Sequence, residues 1–154
     1  MKIFFEDYKG QTINYDDDYD KFICDISVED KFKTTKRSSL NDIRREIDQF
    51  IKLNLDFKPF RVLLASGYND SQFSVAEVAS IRTDRKLVVI SSGGYRSYFG
   101  KEDAKKLMKF DADLMKEKEV IEDDFKKASD RRSNTLKELS KRLVTLDLSK
   151  YDLA

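Results

Sequence analysis

The chain has 154 residues and a formal net charge of +1; it is 40% hydrophobic and 38% charged, with eleven Phe, seven Tyr, one Cys and no His. That length suits one domain with an appendage, and the apolar content is enough to offset the entropy of ordering, which excludes a disordered chain. The missing histidine excludes Ser-His-Asp and Cys-His catalysis and histidine-ligated zinc, and the near-neutral charge argues against strong non-specific nucleic-acid binding.

The start, Met1-Lys2-Ile3-Phe4-Phe5-Glu6, lacks the long apolar stretch of a secretory signal, and no run approaches the ~20 apolar residues of a membrane span. A cytoplasmic location is expected. Residues 2–8 and 11–15 flank Lys9-Gly10, where glycine supplies the positive φ of a tight reversal, and predict a hairpin. Asp16, Asp17, Asp18 and Asp20 then interrupt. Their carboxylates are the oxygen ligands that hard cations prefer. The glycine and distal glutamate of an EF-hand are not at their offsets, so the segment reads as a solvated acidic loop and no metal is expected.

Phe22, Cys24, Ile26 and Val28 alternate onto one strand face, which makes Cys24 a buried structural thiol. Residues 31–35 predict a further short strand. Here the charge changes sign: residues 1–30 carry three Lys against nine acids, and residues 31–100 thirteen Lys/Arg against seven. The preferred reading is that the acidic segment packs beside the basic one. Lys31, Lys33, Lys36, Arg37, Arg44 and Arg45 form the most basic neighbourhood, but no nucleic-acid-binding motif accompanies them.

Ser39 is placed to cap a helix in which Leu40, Ile43, Ile47, Phe50 and Ile51 recur at helical spacing, ending before Pro59. Strands follow over residues 60–65, 73–81 and 86–91, separated by turns at 67–70 and 83–85. The expected core, residues 1–98, is therefore α+β: an antiparallel sheet packed by one amphipathic helix.

Residues 99–154 are expected to form a helical, coiled-coil-like tail, as one long C-terminal helix or a helical hairpin. No Pro or Gly occurs between Gly100 and Leu148, a stretch far longer than the 11–12 residues of an average helix. Leu107, Leu114, Ile121 and Ala128 repeat every seven residues, with Phe125 and Leu139 at the companion position. Asp111, Lys118 and Arg132 otherwise fill that companion position and weaken a continuous coil. A break near 129–133 would give two antiparallel helices, and the closing 146–153 is expected to tuck back onto the core. Self-association into a homodimer or higher oligomer is expected through residues 100–148.

The residues singled out for binding lie where a strand is expected to lead into that tail. In Ser91-Ser92-Gly93-Gly94-Tyr95-Arg96-Ser97-Tyr98, backbone amides and Ser92 suit oxyanions, Arg96 offers a bidentate donor, and Tyr95 and Tyr98 offer stacking faces. The spacing is neither a P-loop nor GxGxxG, and an ordinary connection with aromatics packed on the core is the simpler reading. Arg131 and Arg132 are a second cationic pair for an anion. No pair of acids is spaced for catalysis and no cofactor motif occurs, so a non-enzymatic binding protein is expected.

In layout, a compact α+β unit followed by a charged tail in a Lys/Asp/Asn/Ser-rich chain, the protein resembles small accessory proteins of phages and mobile elements. Among these it is similar to counter-defence proteins: anti-Thoeris sponges, which sequester cyclic ADP-ribose-type signals, and CRISPR inhibitors. The resemblance implies either capture of a nucleotide-derived signal or, alternatively, inhibition of a host defence protein through the tail or acidic loop. It covers layout and transfers no residue roles. A structural or assembly protein is the remaining alternative.

Overall fold

The computed structural model describes residues 1–66, 72–124 and 129–154; side chains at 66, 72, 123–124 and 129–134 fall outside that description, as does the expected turn at 67–70. The chain forms two compact units, Met1–Lys58 with Ser80–Arg85, and Pro59–Ala79 with Lys86–Ala154. Both are mixed α+β with antiparallel sheets.

In the first unit β1 (Lys2–Tyr8), β2 (Gln11–Asp16), β3 (Lys21–Val28) and β4 (Lys31–Arg37) lie in sequential order, followed by α1 (Leu40–Asn54). The β1–β2 reversal puts both Lys9 and Gly10 in the left-handed region, φ 49° and 78°, as a two-residue type I′ hairpin demands. Ser39 Oγ accepts the Asp42 amide at 3.1 Å and starts α1 where the sequence placed it.

The alternation of β3 and the helical stripe of α1 meet in one core of Ile13, Cys24, Ile26, Val28, Ile43, Ile47 and Phe50. Burial pushes the Cys24 thiol up to about 11, so it remains protonated and inert.

Polar groups close the edges of this core. Asn54 is fully buried; its amide donates to Phe50 O and Ile81 O and accepts from Ile81 N, fastening residues 80–85 to the end of α1. Glu46 takes Lys33 at 2.6 Å, Arg37 at 3.2 Å and Thr83 at 2.8 Å. Burial works to raise its carboxyl, but the Lys33 and Thr83 bonds and the two cations outweigh it and hold it below its ordinary value. Arg44 grips Glu6 with two 2.7 Å bonds, an instance of the acidic segment meeting the basic one.

The second unit has five strands in the order β8-β7-β6-β5-β9: β5 (Phe60–Ser66), β6 (Gln72–Ile81, whose last residues enter the first unit), β7 (Leu87–Ser91), β8 (Arg96–Phe99) and β9 (Leu107–Lys109). A 3-10 turn, Asp103–Lys106, precedes β9, and α2 (Ala112–Asp124) and α3 (Ser129–Ser140) follow it. Leu114 and Leu139 pack with Leu63 and Phe73, bordered by Val75, Met108, Phe110, Met115, Ile121 and Leu143.

This corrects the expectation of a long helix from residue 99. Arg96–Phe99 and Leu107–Lys109 are strands, and α3 runs through the expected break at 129–133. Leu107, read as a heptad residue, pairs with Leu64 across β5–β9 and is buried.

The polar residues that spoiled the heptad have other tasks. Asp111 caps α2 by accepting the Leu114 amide at 3.0 Å. Lys118 donates to Phe73 O and lies 5.1 Å from the Phe73 ring centre. Phe125 and Ala128 lie outside the described residues. The final segment lies against β9, within the expected tail itself: Lys109 N donates to Val144 O at 2.7 Å and Leu146 N to Leu107 O at 3.3 Å. Among the described residues no helix is long and apolar enough to cross a membrane.

Candidate functional site

Ser91–Tyr95 is a β-hairpin turn joining β7 to β8, not the entry to a helix. Gly94 N donates to Ser91 O and Ser91 N to Tyr95 O, both at 2.9 Å, and Gly94 takes φ +82°. The Tyr95 amide also points inward, to Ser91 Oγ at 3.2 Å. The turn thus engages the Ser91, Gly94 and Tyr95 amides, which are no longer open to a phosphate. The Tyr95 ring lies against Gly93, where an added Cβ would sit 3.2 Å from ring carbons.

The register decides which side chains converge. Arg96 is opposite Ile90 and Tyr98 opposite Val88, so these four share one face of the sheet. On β5 and β6, Arg61 opposes Glu77 and Leu63 opposes Val75. Leu63 and Val75 meet α2 and α3, while a groove of about 300 Å³ opens along Arg61, Val75, Glu77, Ile90, Ser91 and Ser92. The Arg61 guanidinium carbon lies 4.2 Å from the Phe110 ring centre, a stacked position that orients the fork.

Of the residues expected to bind a ligand, Ser92 lines this groove, Arg96 stands beside its Ile90 wall, Tyr98 follows on the same edge strand, and Tyr95 is exposed at the turn. Arg131 and Arg132 belong to the first turn of α3, and their side chains lie outside the described residues. Arg61 and Glu77 were not anticipated. The available signal was a charge at Arg61 in the otherwise apolar run Phe60-Arg61-Val62-Leu63-Leu64.

A second cavity of about 490 Å³ lies in the same unit, between the 3-10 turn and the closing segment, with Lys101, Lys105, Leu146, Ser149 and Tyr151 among its walls. It contains none of the anticipated residues.

The acidic loop already holds a cation. Oxygens of Asp16, Asp17 and Asp18 lie within 4.8 Å of one another, and the Met1 ammonium sits 2.8 Å from Asp17 and 2.6 Å from Asp18. Hydrogen bonds to Asp17 and Asp18 push that amine up to about 10, and the same bond holds the Asp17 carboxyl low.

Compared with known proteins, the chain matches no family model, no curated protein and no solved structure.

Proposed function

We propose that the protein is a non-enzymatic, self-associating cytoplasmic binding protein that captures a phosphate-bearing, base-containing small molecule at the open end of the second sheet. The supporting observation is a groove lined by Arg61, Val75, Glu77, Ile90 and Ser92, with Arg96 and Tyr98 on one face of the adjoining edge strand β8. Two guanidinium forks suit a pyrophosphate, an aromatic face suits a base, and the apolar Val75 and Ile90 suit the remainder. This is the chemistry of a nucleotide-derived signal and accords with a phage counter-defence role by sequestration.

Docking to a host protein through the tail or the acidic loop has less support. Leu114, Leu139, Ile121 and Leu143 are engaged within their own unit, and the acidic loop is satisfied by Met1. Assembly through a continuous coil meets the same objection.

Isothermal titration with ADP-ribose at low salt tests the reading. Binding of one molecule per chain is expected, and Arg96→Ala or Arg61→Ala should each weaken it by about 1.5–3 kcal/mol, the worth of a charge-assisted bond. Equal affinity in wild type and both variants would overturn the assignment.

A further inference from the structure

The two edges of the first sheet are unlike. β4, at one edge, carries Lys31, Lys33, Lys36 and Arg37 in seven residues, the charged composition that prevents an edge from pairing with another chain. β1, at the other, centres on Ile3, Phe4 and Phe5, which are 45%, 60% and 47% exposed. Among the described residues no strand lies outside β1. An uncharged, apolar centre on a terminal strand is what native edges ordinarily avoid, unless something pairs with it.

We propose that β1 pairs antiparallel with β1 of a second copy of this chain, making one eight-stranded sheet across a twofold axis at Phe4. The charge pattern selects both partner and direction. Lys2 is the cation at one end of the strand, and Asp7 and Glu6, the latter also held by Arg44, are the anions at the other. Antiparallel self-pairing sets Lys2 of each copy beside the acids of the other, whereas a parallel pair would set like on like.

Centred on Phe4, the register puts Phe4 opposite Phe4 and Ile3 opposite Phe5. Ile3 is the register partner of Tyr15, Tyr15 of Phe22, and the Phe5 ring meets Phe22 edge-on at 5.1 Å. Ile3 and Phe5 therefore belong to one face with Phe22 and Tyr15, and the second copy extends that aromatic cluster across the axis. The bulge between Phe4 and Glu6 confines regular pairing to this short stretch.

Leu107, Leu114, Ile121 and Leu139, on which self-association through residues 100–148 is expected, are engaged within the second unit, so the surface proposed here is a different one. The inference extends the proposed function without depending on it, because ligand binding and dimer mass are read separately.

The test combines Phe4→Cys cross-linking with sedimentation equilibrium. Opposed residues on antiparallel strands have Cα atoms about 4.5–5.5 Å apart, within disulfide range. Phe4→Cys should therefore oxidise to a covalent dimer, while the equally exposed control Phe32→Cys on β4 should not. In sedimentation the wild type should be a dimer. Lys2→Glu should raise the dimer dissociation constant at least ten-fold, and mixing it with Asp7→Lys should restore a heterodimer. The proposal is overturned by a monomeric wild type, by equal cross-linking of both cysteines, or by a dimer indifferent to Lys2→Glu. Phe4→Lys, with circular dichroism to verify folding, supplies an independent disruption. A dimer that survives it at unchanged affinity would likewise overturn the pairing.

Discussion

In the first unit α1 lays Ile43, Ile47 and Phe50 against Ile13, Cys24, Ile26 and Val28, and what borders that core is tied by ion pairs and amide bonds. In the second, α2 and α3 meet the sheet at Leu63, Phe73 and Val75, whereas Arg61 and Glu77 line an open groove and Arg96 and Tyr98 stand exposed on the edge strand β8. Arg61 and Glu77 stand on the same strands as Leu63 and Val75. The difference shows where packing stops: a face intended for core would carry apolar residues, and one carrying guanidinium groups and tyrosine is suited to a solute.

Substitutions should divide along that line. The largest effect is expected from Phe50→Ala, which empties a fully buried site and should cost about 4 kcal/mol in denaturant unfolding. Asn54→Ala leaves the Ile81 amide and carbonyl without their side-chain partner and should cost about 3 kcal/mol, with loss of hydrogen-exchange protection at Ile81. A loss there under 1 kcal/mol would mean that the first unit does not depend on the returning segment.

Glu46→Gln should cost about 2 kcal/mol at neutral pH. Because the Glu46 carboxyl is lowered from 4.5 in the folded state, its contribution is fully present above that value and disappears as pH falls through the folded-state value. Melting temperature against pH should show this acid loss in the wild type and a shallower one in Glu46→Gln; parallel curves would remove the ion cluster from the account. Smallest of all, Arg61→Ala and Arg96→Ala should change stability by less than about 0.5 kcal/mol, as exposed positions do, while their effect on ligand binding is large. A large stability loss from Arg96→Ala would recast the open face as structure.

The first unit was legible because its signals are local. Lys9-Gly10, the Ser39 cap, the alternation from Phe22 to Val28 and the stripe from Leu40 to Ile51 each specify an element within a few residues. The second unit was not, for a nonlocal reason. β9 is three residues long and exists through pairing with β5, so Leu107-Met108-Lys109 carries no pattern of its own and was absorbed into a helix. Asp111, the cap of α2, looked like a defect in a heptad. The hairpin residues Ser92, Tyr95, Arg96 and Tyr98 were legible as chemistry, but the groove that Ser92 shares with Arg61 depends on strand order, which one chain's residues do not spell out.

The most direct measurement is a two-dimensional amide NMR titration of the labelled protein with ADP-ribose. The account predicts saturable shifts confined to Arg61, Glu77 and residues 88–98, absent in Arg96→Ala. Shifts centred on residues 101–105 and 145–153, or none at millimolar ligand, would contradict it.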